Sequence, residues 1–353
     1  MSQYSFLDLD DPPVLSNPLR ERTFSQMWNE TWDIFSAHWR RWIVLGLIAS
    51  APPLLVSLLL HGGIDLNQLL VVARNGSTEE VSLLTQQLLS SFIISALVGV
   101  LSWGYTLIVS SGAGAIMASQ ILGRKPVSLR AALRTAFTRR AGALLGANLL
   151  VGLALLGVML ASMALTTCLV GIVGFVFLIF MAVAWIPLIN PLVALERGPL
   201  TTLLSRAWYF GRGRVWIIVA VLFSLSAVTS IVRAPASLLQ NHLMANTISY
   251  GAGGEVILSE AYWLWRTLFV VVSLIEQSVV LPIGVILYTI MYYDARARLD
   301  SPDADLPIQA GDPPRPPVPW LVKRDVNNML GVVMVVFGLA VALSLSSGLL
   351  LRL

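Results

Sequence analysis

The stretch FSQMWNETWDIFSAHWRRW, residues 24–42, decides the fold, because its pattern recurs twice more along the chain. Apolar side chains, with one threonine, stand at helical positions i, i+3, i+4, i+7 and i+8: Phe24, Met27, Trp28, Thr31 and Trp32. The same spacing recurs over residues 129–137 and over residues 200–208, which end on Trp208. Two arginines follow each copy: Arg40 and Arg41, Arg139 and Arg140, Arg212 and Arg214. Such spacing lays an apolar stripe along a helix, and aromatic residues beside arginine are typical of the membrane interface.

The composition indicates that the chain needs lipid around it. Hydrophobic residues make up 56% of the sequence and charged residues only 12%, whereas a soluble domain carries about 25% charged residues. A transmembrane helix needs roughly 20 apolar residues. Stretches near or above that length occupy residues 42–60, 90–121, 141–166, 168–195, 215–232, 268–293 and 329–351.

These patterns predict an all-α, polytopic bundle of transmembrane helices. Three repeats, each an interfacial amphipathic helix followed by a transmembrane hairpin, form a six-span domain over residues 23–298, and an extra seventh transmembrane helix follows. The predicted segments are a disordered cytoplasmic tail, three repeat units, a Pro/Asp-rich cytoplasmic linker and the seventh helix: 1–22, 23–121, 128–195, 199–298, 299–326 and 327–353. We expect an outer loop over residues 233–266, between the fifth and sixth spans.

The basic residues predict the orientation. With the N-terminus in the cytoplasm, nearly all of them fall on the inner side, and the outer side keeps Arg74, Arg233, Arg266 and Arg352. This asymmetry follows the positive-inside rule and places the C-terminus outside. The amphipathic helices then face the inner leaflet, where anionic lipid attracts arginine. The net charge of +4 indicates lipid contact rather than nucleic acid, because no basic groove interleaved with aromatic residues is visible.

A few polar residues within the spans are candidates for function. Glu276, followed by Gln277, is the one acid well inside a predicted span, and intramembrane carboxylates often mark a proton or ion path. The alternative is a protonated or hydrogen-bonded carboxyl group that locks helix packing, and a lone acid without a partner makes a poor pump. Asn190 lies between Pro187 and Pro191. Such an interruption either lines a substrate site or is a kink, and we favour the kink.

Motifs for catalysis or for cofactors are absent from the sequence. The three histidines lie in separate segments, and no zinc, nucleotide or nucleophile-elbow motif is present. The single cysteine, Cys168, cannot form an internal disulfide. The sequence therefore predicts no catalytic residue, no metal and no cofactor, and an intramembrane enzyme is the least favoured of three hypotheses.

The chain resembles a known membrane family in three places. These are the amphipathic helix at residues 24–42, the strings PLVALERG (191–198) and LSRAW (204–208), and LYTIMYYDARAR (287–298). Over about residues 23–299 they resemble the membrane domain associated with glycerophosphoryl diester phosphodiesterases and its stand-alone bacterial relatives. The resemblance implies a bacterial plasma-membrane protein with six spans, so the seventh span departs from it. Enzymes of that family carry catalysis on a soluble barrel with a His-Arg-Gly motif, which this chain lacks.

Two functional hypotheses follow from these features. The leading one is a non-enzymatic integral membrane protein that organises lipid, or a membrane protein complex, through its cytoplasmic interfacial helices. The seventh helix would then dock a membrane protein partner. The alternative is a transporter or channel-like permease with a pathway near Glu276 and Asn190.

Overall fold

A computed structural model describes residues 21–60, 78–165, 185–211, 215–250, 256–258 and 261–299. Several sequence-based predictions fall outside these ranges. They concern most of the N-terminal tail, the linker and the seventh span, the turn around Cys168, and the arginines at positions 212 and 214.

The described residues are almost entirely helical. The helices are α1 (Phe24–Ala37), α2 (Trp39–Leu60), α3 (Thr78–Thr106), α4 (Gly114–Leu122), α5 (Leu129–Thr135), α6 (Ala141–Leu165), α7 (Trp185–Leu195), α8 (Leu200–Phe210), α9 (Val215–Thr247) and α10 (Tyr262–Leu299). Two π-helical segments, Leu107–Ala113 and Ala136–Arg140, join α3 to α4 and α5 to α6. A short antiparallel ribbon pairs β1 (Ile248–Tyr250) with β2 (Val256–Leu258), and Ile248 lies opposite Leu258.

Three helical segments are long and apolar enough to cross a membrane, as expected of an integral membrane protein. They are Leu89–Leu122, Val215–His242 and Tyr262–Leu299. The pair Leu129–Thr138 and Ala141–Gly157 makes a fourth candidate if its two bent parts are counted as one span. Large apolar side chains on α3, α6, α9 and α10 are exposed, and an apolar surface of this extent is suited to lipid contact.

The prediction of an outer loop over all of residues 233–266 is wrong. Helix α9 continues to Thr247, and α10 already begins at Tyr262. The residues after Arg233 are mostly good or neutral helix formers, so a single arginine does not end the helix. The ribbon β1–β2 occupies the middle of the interval.

The chain divides into two compact units. The first contains the described parts of Trp28–Ala141 together with Leu225–Leu287. The second contains the described parts of Gly142–Ser224, with residues 21–27 and 288–299. Several helices, among them α9 and α10, begin in one unit and end in the other.

Local capping starts two of the amphipathic helices where the repeat pattern begins. At α1, the Thr23 amide donates to the Gln26 side chain (2.8 Å), while the Gln26 amide donates to the Thr23 hydroxyl (3.4 Å). This reciprocal pair is a capping box. At α5, the Ser128 hydroxyl accepts from the Ala131 amide at 3.3 Å, which satisfies one of the free amides of the first turn.

Two adjacent prolines in α2 explain how the first unit is fastened together. Pro52 and Pro53 lie inside the helix and have no N–H, so the carbonyls four residues earlier, on Ile48 and Ala49, lose their helical donors. Neighbouring side chains replace both donors. The Tyr105 hydroxyl donates to the Ile48 carbonyl at 2.8 Å, and the Thr106 hydroxyl donates to the Ala49 carbonyl at 3.2 Å.

A third proline has a related effect in α10. Pro282 frees the carbonyl of Ser278, and Gly46 of α2 packs directly against that backbone. A methyl group at Gly46 would come within 2.6 Å of the Ser278 Cα atom. Only glycine therefore allows this approach, which suits a weak Cα–H···O contact with the freed carbonyl.

We expect Tyr105→Phe to lower the free energy of unfolding by about 1 kcal/mol, because the Ile48 carbonyl then has no donor in an apolar surrounding. The loss should shrink in a Pro52→Ala background, where residue 52 regains an N–H for that carbonyl. Pro53→Ala is the matched control, since it restores an N–H donor for the Ala49 carbonyl instead. Unfolding in mixed micelles measures the loss caused by Tyr105→Phe in the wild type and in each proline variant. An equal loss in the wild type and in the Pro52→Ala background would contradict the assignment.

Candidate functional site

The first amphipathic helix is rotated relative to the stripe that its sequence suggests. Its buried face consists of Met27, Glu30, Thr31 and Ile34, whereas the side chain of Trp32 is 46% exposed. Trp28 is partly buried, and its indole N–H has no acceptor within the described chain. A buried carboxylate at position 30 was not foreseen, because the pattern counted only apolar residues.

A largely buried carboxylate, Glu196, organises the second unit. It follows α7 directly, and its backbone amide still donates to the Leu192 carbonyl at 2.8 Å. Its Oε1 accepts a hydrogen bond from the Tyr292 hydroxyl at 2.8 Å, and its Oε2 lies 2.8 Å from the Arg206 Nε. The side chains of Glu196 and Arg206 are 13% and 19% exposed. The carboxylate therefore ties α8 and α10 to the end of α7.

Aromatic rings close the same cluster. The Arg206 guanidinium lies over the Phe210 ring at 4.8 Å, and Phe210 packs against Tyr292 with ring centroids 5.9 Å apart. On the other side of α8, Trp208 meets Trp185 edge to face at 5.6 Å. The Trp185 indole also donates to the Leu204 carbonyl at 3.3 Å. These contacts fix the third amphipathic helix on the second unit through its aromatic residues.

A second acid, Asp294, lies on α10 close to Tyr292. The Oδ1 of Asp294 accepts from the backbone amide of Arg22 at 2.7 Å, and its Oδ2 accepts from Arg298 at 3.1 Å. Asp294 and Arg22 are both buried. The carboxylate thus holds the segment just before α1 against the end of α10.

A small cavity lies beside Asp294 in the second unit. It is lined by apolar residues of α7, α8, α9 and α10, with Met27, Asp294 and Arg298 at its edge. Its volume is about 10 Å³, which is close to the room that a single water molecule needs. This cavity cannot hold a solute larger than water.

Asn190 is satisfied by another amide. Its Oδ1 accepts from the Asn148 Nδ2 at 2.8 Å, and the same Nδ2 also donates to the Leu144 carbonyl at 2.8 Å. Helix α7 is continuous through Pro187 and Pro191. The two prolines therefore do not end the helix in the described part of that span, the kink stays a prediction, and Asn190 joins α7 to α6.

Glu276 lies in the first unit and has a charged partner. Its side chain is 7% exposed, and its Oε1 accepts from the Arg233 Nε at 3.0 Å. The expectation of a lone acid is wrong, because Arg233 was assigned to a loop and is in fact part of α9. Gln277 is partly buried next to it.

The basic residues expected at the interface lie at the helix ends. Arg40 is exposed, with its guanidinium 5.5 Å from the centre of the Trp39 ring, while Arg41 and Arg140 are partly buried. The Arg139 side chain lies outside the described part of the structure. Burial, assisted by the charge of Arg41, lowers the pKa of His38. This imidazole is therefore neutral at pH 7.

The sequence analysis missed the residues that form these clusters, although the strings were in view. Glu196, Arg206, Tyr292 and Asp294 all belong to the motifs quoted for the family resemblance. Glu196 and Tyr292 are 96 positions apart, and Asp294 and Arg22 are 272 positions apart. Helical periodicity identifies the face of one helix, and it does not identify the helix that covers that face.

Comparison with family models, curated proteins and solved structures gives no match to this chain. Within the described ranges, no group of three histidine, cysteine or acidic side chains is arranged to hold a metal ion. The arrangement instead joins helices, since each acid of the two clusters bridges separate segments.

We expect Glu196→Ala to destabilise the protein by about 3 kcal/mol, because it leaves the largely buried Arg206 without its carboxylate. The double variant Glu196→Ala/Arg206→Leu should recover part of this loss, since it removes the uncompensated charge as well. Asp33→Ala, an exposed acid on α1, is the control and should change stability by no more than about 0.5 kcal/mol. Wild-type stability of Glu196→Ala in micelle unfolding would show that the cluster does not hold α8.

Proposed function

We propose that this chain is a non-enzymatic integral membrane protein that organises lipid, or a membrane protein complex, through interfacial helices on one membrane face. The observation that carries the proposal is the way charge is used in the described helices. Glu196 binds Arg206 of α8, and Asp294 binds the backbone just before α1. Exposed aromatic and arginine side chains, such as Trp39 with Arg40, remain available at the surface.

That combination is suited to the headgroup region of a bilayer. Tryptophan and tyrosine are favoured there because one end of the ring system is apolar and the other is polar. Arginine beside them attracts anionic lipid. The exposed aromatic residues Phe24, Trp32 and Phe137 lie on or next to the first two amphipathic helices, which supports an interfacial role for α1 and α5.

The finer architecture belongs to the same proposal. It comprises three repeats, seven spans, a cytoplasmic N-terminus, an outer C-terminus and residence in a bacterial plasma membrane. The asymmetric distribution of arginines and the resemblance to the phosphodiesterase-associated membrane domain support it. The seventh helix, 327–353, is the segment proposed to dock a membrane protein partner.

We expect Arg40→Gln/Arg41→Gln to lower the retention of phosphatidylglycerol by the protein purified in mild detergent. The exposed Arg40 and the partly buried Arg41 together contribute up to about 2 kcal/mol, or roughly 30-fold in affinity, toward an anionic leaflet. Arg266→Gln, near the opposite end of α10, is the control and should retain the lipid. Equal retention by the double variant and the wild type would contradict a role for α2's basic end.

A permease is the second candidate, and the buried Glu276 in a span-length helix is the observation that favours it. Our proposal predicts no proton flux in liposomes that report internal pH with a dye, from either the wild type or Glu276→Gln. The glutamine keeps the shape and a hydrogen bond to Arg233 but cannot ionise. Flux through the wild type that Glu276→Gln abolishes, with the fold intact, would replace the organiser with the permease.

A further inference from the structure

The ion pair between α9 and α10 has one buried member and one exposed member. The carboxylate of Glu276 is buried, whereas the side chain of Arg233 is 59% exposed. The Nε of Arg233 donates to Glu276 at 3.0 Å. Arginine has five N–H donors, and the structure pairs the Nε–H of Arg233 with Glu276. Part of the guanidinium is therefore free to bind an anion.

The two helices that carry this ion pair also expose apolar side chains. Ile231 and Leu238 on α9, and Val271 and Ile275 on α10, are all exposed. In a helix that crosses a membrane, such side chains contact lipid. An exposed guanidinium at the border of such a region is stabilised by an anionic group of the lipid in addition to Glu276.

The spacing of charges along the two helices indicates which part of the lipid it meets. Between Val215 and Arg233, and again between Glu276 and Asp294, no residue is charged. At 1.5 Å per residue each interval is about 27 Å long, which is close to the roughly 30 Å thickness of a hydrocarbon core. Arg296 and Arg298 lie at the other end of the α10 interval. The pair thus lies about one hydrocarbon thickness from the basic end.

We propose that Arg233, held in place by Glu276, binds the phosphate group of a phospholipid in the leaflet opposite the arginine-rich helix ends. The carboxylate occupies one edge of the planar guanidinium, and the remaining N–H groups donate to phosphate oxygens. Because Glu276 already orders the side chain, little rotamer freedom is lost on binding. This lipid site is separate from the cytoplasmic interfacial helices, and it does not depend on the function proposed for those helices.

Native mass spectrometry of the full chain tests the site. The protein is purified in a maltoside detergent with added phosphatidylglycerol, and the retained phospholipid molecules are counted. We expect Arg233→Gln to retain one phospholipid fewer than the wild type. Arg266→Gln, whose guanidinium stacks on Tyr262 and Trp263, should retain the wild-type number.

A second variant and a competition experiment complete the test. Arg233→Lys preserves a cation for Glu276, and therefore folding, but lacks the planar fork, so we expect it to lose the same lipid at lower detergent concentration. Excess inorganic phosphate added to the wild type should leave the lipid bound. Wild-type retention by both Arg233 variants would overturn the proposal. Displacement of the lipid by inorganic phosphate would identify a free-phosphate site instead and would equally overturn it.

Discussion

A backbone carbonyl that is shielded from water needs another hydrogen-bond donor, and this constraint shapes the first unit of the protein. Pro52 and Pro53 place two unsatisfied carbonyls side by side in α2, and Tyr105 and Thr106 are the adjacent pair that satisfies them. One consecutive pair of residues therefore fixes both the rotation and the axial position of α3 against α2. The close approach of Gly46 to Ser278 also holds the first part of α10 in the same unit.

The same constraint acts on charge. Glu196 is matched by Arg206 and Glu276 by Arg233, while Asp294 accepts from the Arg22 amide just before α1. A buried ion pair contributes little net stability compared with well-packed apolar residues, but the loss of one member is expensive. Such pairs therefore specify which helices meet. We propose an organiser rather than a permease because these acids connect helices.

The sequence could predict the presence of the helices and the apolar face of α8, because periodicity and length report these directly. It could not predict how far α9 and α10 extend, since the isolated Arg233 was taken as a loop signal and its buried acid lies 43 residues away in sequence. The clusters around Glu196 and Asp294 were equally hidden, although their residues lay in the quoted strings. The buried face of α1 could not be predicted from apolar spacing alone, because it includes the carboxylate of Glu30.

The central claim is that the arginine-rich helix ends lie on the cytoplasmic side of a membrane that the helices cross. Cysteine labelling in intact cells tests it most directly, after the single Cys168 has been replaced by alanine. One cysteine is placed at Gly253, between β1 and β2, and another at Pro314, in the predicted cytoplasmic linker. An impermeant maleimide should modify the Gly253→Cys variant and spare the Pro314→Cys variant until the cells are opened. Modification of Pro314→Cys in intact cells, or protection of Gly253→Cys, would contradict the account.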